Sequence, residues 1–255
     1  MKRVLVTGGA DGIGRALVSR YAEAGADVTF VDVDAERGAA LRGDAIQFVQ
    51  ADLADRDAVD ALSASLAEAS PFDVVIQNAG ISHVGPFDAS DLEAQQRVIR
   101  VNLEAPLVLT AALLTSERVA HGGAIAFVSS LSHYVGYPGA AVYAATKDGL
   151  ASYARSLSVA LASRRILVSR VFPGPTRTAH AERYSPEGSD ASKRMSPDAV
   201  AKAIERGLRN RRTVIVPGVG ARLFALAGSL VPRMTERALR RALYEPLAGR
   251  DQRRA

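Results

Sequence analysis

The chain has 255 residues, of which 48% are hydrophobic, and it carries 32 lysines and arginines against 27 aspartates and glutamates. This length and apolar content fit one large α/β domain with a substantial core. The chain has no cysteine, and its four histidines lack ligand spacing, so disulfides and thiolate metal sites are excluded and no metal is predicted. The N-terminus enters a β-rich segment at once and no apolar run reaches the length of a membrane span. We therefore expect no signal peptide, no spanning helix and a cytoplasmic location.

Seven short β-rich segments alternate with helical patterns along the chain. Such alternation is typical of βαβ units, whose parallel strands are covered by helices on both faces. We predict an α/β fold with residues 1–255 as a single domain, in which a Rossmann-type, doubly wound parallel sheet of about seven strands is the middle of three layers (α/β/α). The predicted strands are 3–7, 27–32, 46–51, 73–77, 123–129, 166–172 and 213–216.

The first predicted strand leads into a glycine-rich turn, where Gly8, Gly12 and Gly14 accompany a helical pattern that begins near Ile13. Backbone N–H groups at the start of a helix attract a pyrophosphate, and glycine lets the backbone come close to it. The spacing G-x-x-x-G-x-G differs from the general G-x-G-x-x-G fingerprint. Taken alone, the turn is also compatible with a simple tight connection.

The second predicted strand ends at Asp32, eighteen residues after Gly14. A carboxylate at this point can hold both hydroxyls of the adenine ribose of NAD. A 2′-phosphate about 4 Å from it would be repelled by roughly 4 kcal/mol per unit charge at an effective dielectric constant near 20. Asp11 in the glycine turn is acidic rather than basic, and no arginine directly follows Asp32, although Arg37 is close in sequence. We therefore predict NAD as the cofactor, in preference to NADP.

A third pattern joins Tyr143 to Lys147, four residues later in a helix predicted over 142–164, with Ser130 thirteen residues before the tyrosine. Residues four apart share one face of a helix. A free tyrosine has a pKa near ~10 and needs a depression of about two to three units to act as a base near neutrality, which a nearby ammonium favours. Alone, the pair also describes a surface tyrosine and lysine on an amphipathic helix.

In this combination the chain resembles the short-chain dehydrogenases/reductases, in their compact single-domain branch, over about residues 3–217. The resemblance implies that Asp52 and Leu53 meet the adenine and that the loop 78–80 supports the central sheet. It also implies that the motif 173–178 meets the nicotinamide carboxamide. The cofactor-binding residues predicted in this way are Gly8, Asp11, Gly12, Ile13, Gly14, Asp32, Asp52, Leu53, Asn78, Ala79, Gly80, Tyr143, Lys147, Pro173, Gly174, Thr176 and Thr178.

The same resemblance assigns four catalytic residues, Asn102, Ser130, Tyr143 and Lys147. Tyr143 as phenolate would take the hydroxyl proton of a secondary alcohol while the carbinol hydride passes to the nicotinamide, and the reverse would reduce a ketone. Ser130 would steady the developing carbonyl. Lys147 would stabilise the phenolate and hold the nicotinamide ribose. Asn102, on a long helix predicted over 89–117, would connect Lys147 to solvent through a water.

Two other functions fit the same fold. A nicotinamide-binding sensor or scaffold with little turnover would not need the complete catalytic set. An epimerase or dehydratase of the larger branch usually carries a longer substrate domain. Only about seventy residues follow the motif 173–178 in this chain, which argues against that function. The substrate is expected to be a small alcohol or ketone, and a sterol, an aromatic alcohol, a sugar and a hydroxyacyl chain all remain open.

Three residues depart from the family pattern. Gln77 replaces an asparagine and is expected to alter loop support only. His133 stands where glycine is frequent, and Thr176 stands where an apolar β-branched residue is usual, so both can change the pocket. For His133, a solvated loop histidine is the favoured interpretation.

The polar segment 179–198 follows the nicotinamide motif and is predicted to close over the substrate as a lid, with a plain connector as the alternative.

Residues 222–255 are predicted to form a basic amphipathic extension. Eight arginines stand there against Glu236, Glu245 and Asp251, so the whole net charge of +5 lies in this segment. The apolar run 223–231 is too short to span a bilayer, but it can cap the core, contact a neighbouring subunit or lie on an anionic membrane surface. The resemblance implies a homodimer or homotetramer, which favours the subunit contact over the membrane surface. No binding of nucleic acid is expected, because Tyr244 is the one aromatic residue that interleaves with the arginines, and bases stack on aromatic side chains.

Overall fold

The computed structural model describes residues 1–85, 91–137, 139–184, 192, 194–241 and 245. Its strands form one parallel sheet in the order β3-β2-β1-β4-β5-β6-β7. The chain therefore winds one way from β1 to β3 and the other way from β4 to β7, which leaves a crevice at the carboxyl ends of β1 and β4. The strands are β1 (Arg3–Thr7), β2 (Asp27–Asp32), β3 (Ile46–Gln50), β4 (Phe72–Gln77), β5 (Val119–Val128), β6 (Leu167–Val171) and β7 (Val214–Ile215).

Helices cover both faces of the sheet. A π-helical turn over Arg100–Glu104 joins α4 to α5, and a short 3₁₀ turn spans Leu131–His133 after β5. The helices are α1 (Gly12–Glu23), α2 (Ala35–Ala40), α3 (Arg56–Glu68), α4 (Leu92–Ile99), α5 (Ala105–Thr115), α6 (Ala141–Ala160), α7 (Ala179–Tyr184), α8 (Pro197–Arg209), α9 (Val219–Leu230) and α10 (Pro232–Leu239).

Alternate strand residues point to opposite sides of the sheet. Both sides are hydrophobic, because the strands are nearly continuous apolar runs. In β1, Val4 and Val6 pack with Leu17 of α1 and Ile204 of α8. Leu5, between the two valines, packs on the opposite face, in the cluster that includes residues of α3, α5 and α6. These two clusters hold the carboxyl ends of the central strands in fixed positions.

The structure confirms the predicted fold class and each of the seven predicted strands. The main difference is that β5 begins at Val119, four residues before the predicted start. Its early part contains Gly122, which has a positive φ of 76°, and the pairing with β4 shifts register between Phe72 and Val74. The start of β5 contains a histidine and two glycines, so it lacks the continuous apolar run from which buried parallel strands are predicted.

One expectation about apolar runs needs correction. The helical stretch Leu92–Thr115, of 24 residues, is long and apolar enough to cross a membrane by length and composition. In this structure its α5 part buries Leu109 and Leu113 against the sheet, as the core helix of an α/β domain does.

Candidate active site

The turn between β1 and α1 has the conformation that its glycines permit. Gly8 and Gly12 have positive φ values of 69° and 54°, which L side chains rarely adopt. A Cβ on Gly14 would overlap the Gly8 carbonyl oxygen. The N–H groups of Gly8 and Gly9 both donate to the Val31 carbonyl, at 2.7 and 3.2 Å. The turn is therefore folded tightly against the end of β2.

The start of α1 suits a bound pyrophosphate. Asp11 occupies the N-cap position without a side-chain capping hydrogen bond, and the first turn carries no acidic residue. The glycines of the turn let a ligand approach the backbone N–H groups at the start of α1, and the helix dipole favours an anion there. A cavity of about 340 Å³ beside this turn is lined by Gly12, Arg15, Arg177 and Thr178, among others. The residues present therefore fit a dinucleotide.

The loop that follows β4 supports the glycine turn. Asn78 Nδ2 donates to the carbonyls of Thr7 and Gly8, at 3.0 Å each. The Thr7 hydroxyl accepts from the N–H groups of Asn78 and Ala79, at 3.0 and 3.1 Å. Thr7 also donates to Gln77 Oε1 at 3.3 Å, so the residue that departs from the family pattern belongs to this support.

Asp32 lies at the end of β2, next to the glycine turn. Its Oδ2 accepts from the Ala10 N–H at 2.9 Å, and its Oδ1 accepts from the Asp34 N–H at 3.1 Å. Arg37 lies in the same corner, with guanidinium nitrogens 3.4 Å from Asp11 and 3.5 Å from Asp34. The sequence pattern assigns Arg37 no role, whereas the structure places its guanidinium beside Asp11 of the glycine turn and Asp34.

Asp52 and Leu53 follow β3, farther along the same edge of the sheet. Asp52 accepts from the Ala54 N–H at 2.9 Å and from the Arg97 guanidinium at 2.8 Å. Burial alone would raise the pKa of Asp52, but the hydrogen bonds from Ala54 and Arg97 and the charge of Arg97 lower it below its usual value. Leu53 is buried in the adjoining cluster.

The Ser130 and Tyr143 side chains meet at the carboxyl end of β5. Ser130 follows that strand and its hydroxyl accepts from the Ser132 N–H at 3.2 Å, which caps the 3₁₀ turn. Tyr143 lies in the first turn of α6, and its hydroxyl is hydrogen-bonded to Ser130. Tyr137 contributes a second phenol ring, with its centroid 6.4 Å from that of Tyr143.

Lys147 lies one turn further along α6, on the same face as Tyr143. It is only 3% exposed, its Nζ donates to the Val128 carbonyl at 2.9 Å, and that nitrogen is 5.8 Å from the centre of the Tyr143 ring. Ser129 donates to the Lys147 carbonyl at 2.8 Å, which ties α6 to the end of β5. Burial lowers the pKa of Lys147 to about 8.

The pKa of Tyr143 differs from expectation. Burial raises it, the hydrogen bond with Ser130 opposes that rise, Tyr137 adds to it, and the net result lies above the ordinary value. The sequence argument predicted a depression caused by Lys147. Desolvation of the phenolate therefore outweighs the hydrogen bond that stabilises it.

Asn102 lies in the π-helical turn and is fully buried. Its Oδ1 accepts from the Ile81 N–H at 2.8 Å, and its Nδ2 donates to the Ile81 carbonyl and the Thr146 hydroxyl, at 2.9 and 3.2 Å. A Cβ on Gly80 would lie 2.9 Å from Lys147 Nζ and 3.4 Å from Asn102 Oδ1. The two side chains therefore face a common point beside Gly80.

The segment 173–178 closes the site near the glycine turn. Thr176 is buried and its hydroxyl donates to the Gly174 carbonyl at 2.9 Å, so this departure from the family pattern bonds within its own turn. The Thr178 hydroxyl accepts from the Ala181 N–H at 3.1 Å, and its methyl group would be 2.8 Å from a Cβ on Gly12.

His133 is not the solvated loop histidine that the sequence favoured. Its Nδ1 lies 2.9 Å from Asp148 Oδ1, and its ring stacks on Phe172 with centroids 4.9 Å apart. Tyr134 contacts both of these rings edge-on. The pair His133–Asp148 therefore links the turn after Ser130 to the helix of Tyr143.

The predicted lid is described only in part. Its first helix, α7, covers Ala179–Tyr184, and α8 begins at Pro197. Residues 185–191 and 193 lie outside the described residues, so closure over a substrate stays a prediction. Within the described ranges no group of three or more potential metal ligands is found, and the absence of a metal likewise stays a prediction.

Comparison with known proteins agrees with this geometry. The family described as short chain dehydrogenase matches residues 2–188. Cyclopentanol dehydrogenase of Comamonas sp. (strain NCIMB 9872) is 32% identical over 214 residues, which cover 80% of this chain and 84% of that protein.

Two solved structures share the fold over most of their length. A short-chain dehydrogenase from Sphingobium yanoikuyae in complex with NADPH has a TM-score of 0.78 and 29% identity, covering 90% of this chain and 93% of that one. The 3-ketoacyl-(acyl-carrier-protein) reductase from Brucella melitensis complexed with NADH has a TM-score of 0.74 and 26% identity, covering 86% and 96%. The match along the chain confirms the resemblance on which the site was predicted, and the chain belongs to the short-chain dehydrogenase family of oxidoreductases.

Proposed function

We propose that the protein oxidises a secondary alcohol to a ketone with NAD, or performs the reverse reduction. The observation that carries the proposal is the meeting of Ser130, Tyr143 and Lys147 at the end of β5, on the sheet edge that also holds the glycine turn. The complete set of polar groups argues against a non-catalytic sensor or scaffold, since nicotinamide binding alone needs no phenol bonded to a serine.

Tyr143 is the proposed acid and base of the reaction. In oxidation its phenolate takes the proton of the substrate hydroxyl, and in reduction its hydroxyl returns that proton to the carbonyl oxygen. Ser130, already bonded to Tyr143, donates to the substrate oxygen and holds it in reach. The nicotinamide cofactor, when bound, supplies the hydride acceptor or donor. The resulting roles agree with those implied by the resemblance.

Lys147 and Asn102 are the proposed route for the proton to solvent. At neutral pH Lys147 remains mostly protonated, because its pKa is about 8, and its charge favours the phenolate. A water at the point beside Gly80 that Lys147 and Asn102 both face would accept from Lys147 and donate to Asn102. The Ile81 and Thr146 contacts hold the Asn102 amide in the orientation this needs.

The cofactor is proposed to lie along the carboxyl edge of the sheet. Gly8, Asp11, Gly12, Ile13 and Gly14 would hold the pyrophosphate through the backbone. Asp32 would bind the adenine ribose, and Asp52 and Leu53 the adenine. The loops 78–80 and 173–178 would flank the nicotinamide ribose and carboxamide.

NAD is the proposed cofactor, although the related structures bind NADPH as well as NADH. The Asp32 carboxylate still disfavours a 2′-phosphate at the ribose. Arg37 is the one described cation in contact with Asp11 and Asp34, and these two acids offset its charge. The balance in this corner is therefore negative.

The wider assignment has four further parts. A homodimer or homotetramer is proposed from the family resemblance, and the segment 179–198 as a substrate lid. A cytoplasmic location suits a chain without cysteine. The cyclopentanol dehydrogenase relative supports alicyclic secondary alcohols as first substrates to try.

The test is turnover of a panel of secondary alcohols and ketones with each cofactor, followed by nicotinamide absorbance, for the wild type and Tyr143→Phe. We expect Tyr143→Phe to lower kcat by about a hundredfold or more, since only the proton-transfer group is lost. Binding of NAD, followed by calorimetry, should be nearly unchanged. Tyr137→Phe is the matched control, because it removes the neighbouring phenol and should retain most activity. A Tyr143→Phe enzyme within about tenfold of wild type would refute the assignment.

A further inference from the structure

The outer face of α9 carries an apolar stripe. Val219, Leu223, Leu226 and Leu230 follow one another at steps of four, three and four residues, the spacing that keeps side chains on one face of a helix. Their exposed fractions are 71%, 63%, 55% and 70%. Met234 of α10 is also mostly exposed. We call these five residues the α9 stripe.

The stripe is not an unfinished part of the core. The opposite face of α9 is already packed, because Phe224 and Ala225 join the cluster that contains Leu131 and Phe172. A Cβ on Gly228 would lie 2.5 Å from the Tyr134 carbonyl oxygen, so the backbone of α9 rests directly on the loop after Ser130. With its inner face occupied in this way, α9 presents the stripe outward.

The part of the chain that carries the stripe has an excess of positive charge. Residues 219–241 contain the five arginines Arg222, Arg233, Arg237, Arg240 and Arg241 against the single acid Glu236. Residues 1–221 carry 24 basic and 24 acidic side chains, so the excess is local to this part of the chain. Glu245 offsets part of it through a contact of 3.6 Å with Arg240.

These features distinguish two possible occupants. A second copy of the chain, joined through the same patch on both molecules, would bring its own arginines against those of the first, and like charges at a contact are unfavourable. An anionic lipid surface attracts the arginines and accepts the apolar side chains at its acyl boundary. The helix has 12 residues, whereas a span needs about 20, so α9 can lie on a bilayer but not cross it.

We propose that the α9 stripe and its arginines attach the protein to the surface of an anionic membrane. The inner face of α9 packs on the loop after Ser130, so attachment would place that end of the site about one helix diameter, roughly 10 Å, from the lipid. This surface lies outside the proposed catalytic and cofactor-binding residues, so the attachment can fail while the proposed function stands.

The experiment uses the full chain and sedimentation with two kinds of vesicle, phosphatidylcholine alone and phosphatidylcholine mixed with phosphatidylglycerol. We expect binding to the anionic vesicles only, and a large loss of binding at high salt, because the screening length falls from about 8–10 Å at physiological ionic strength to about 3 Å at 1 M salt. Arg233→Gln/Arg237→Gln/Arg241→Gln should weaken binding by about fivefold for each arginine removed. Leu223→Gln/Leu226→Gln/Leu230→Gln should abolish it.

The matched control is Lys202→Gln/Arg206→Gln/Arg209→Gln on α8, which removes three exposed charges on a different surface and should bind like wild type. All three variants should keep wild-type turnover of a water-soluble substrate, because they change exposed side chains away from the site. Equal binding of the stripe variant and wild type, or no binding of wild type to anionic vesicles, would overturn the proposal. If, in addition, the stripe variant had a lower mass in solution than wild type, the stripe would be a contact between copies instead.

Discussion

At the scale of single residues, Asp32 and Arg37 are the side chains that we propose to set the choice between NAD and NADP. Asp32 uses one lone pair on each oxygen to hold Ala10 and Asp34, and the remaining ones are available to a ribose hydroxyl. Wild type should therefore show a higher kcat/KM with NAD than with NADP. Asp32→Ala should narrow this difference, mostly through KM, because the carboxylate is proposed to bind the adenine ribose and not the reacting ring.

Arg37 supplies the converse control. Asp34→Asn removes one of its partner charges without touching Asp32, so Arg37 becomes a better partner for a 2′-phosphate and the KM for NADP should fall. Arg37→Gln in the same background should reverse that gain. A wild type that prefers NADP would contradict the assignment of Asp32.

Lys147 gives a pH dependence of stability whose sign follows from burial. Its pKa in the folded chain, about 8, is below the ordinary 10.5, so the unfolded state binds more protons between these values and stability rises with pH there. Relative to Lys147→Met, wild type should gain about 2 kcal/mol of unfolding free energy between roughly pH 7.5 and 9.5. Urea unfolding of both proteins, ligand-free, measures this difference. If the difference in unfolding free energy between the two proteins were constant across that range, burial would not lower the pKa of Lys147.

The same two residues show where residue-scale prediction stops. The sequence placed Tyr143 and Lys147 on one helical face, because a period of 3.6 depends only on local chain geometry. It predicted a lowered pKa for Tyr143, whereas the structure raises it, because desolvation depends on how β5, α6 and the 3₁₀ turn pack around the phenol. Side-chain environment is set by residues distant in sequence, which no local spacing reveals.

At the scale of elements, the pair His133–Asp148 joins three of them. His133 belongs to the 3₁₀ turn, Asp148 to α6, and Phe172, on which His133 stacks, follows β6. The pair links the turn after Ser130 to the helix of Tyr143, so we expect His133→Gln and Asp148→Asn each to lower kcat by about tenfold. The KM should change little, because neither side chain is among the proposed binding residues. The double variant should be no worse than either single one. Fully additive losses would show that the two side chains act separately.

The elements themselves were predictable where regular periods mark them. Buried parallel strands are continuous apolar runs, and all seven were found from sequence. The long helix predicted over 89–117 is confirmed over Leu92–Thr115, but it contains the π turn Arg100–Glu104, whose wider hydrogen bonding leaves no mark in a period of 3.6. Asn102 lies in that turn, so its contacts with Ile81 and Thr146 depend on a feature that sequence spacing does not encode.

At the scale of the whole molecule, the extension 222–255 bears on the stability of the core, on subunit assembly and on the exposed stripe of α9. Its excess of arginine was evident from sequence, but composition could not show which side of α9 faces the core. The structure shows that Ala225 is buried while Leu223 and Leu226 are exposed. Residues 242–244 and 246–255 lie outside the described residues, so only the first part of the extension enters this argument.

The core contacts of α9 predict that truncation depends sharply on where the chain is cut. Ending the chain at Ala221 removes Phe224 and Ala225 and uncovers Leu131 and Phe172, which should cost about 2 kcal/mol of unfolding free energy and lower Tm by roughly 5 °C. Ending it at Val231 keeps these contacts and should leave Tm nearly unchanged. Thermal unfolding of both truncated chains and the full chain, with mass measured in solution, separates the contributions. Equal Tm values for the two truncated chains would show that α9 does not cap the core. If the chain ending at Val231 contained fewer subunits in solution than the full chain, subunit assembly would be assigned to the segment beyond Val231.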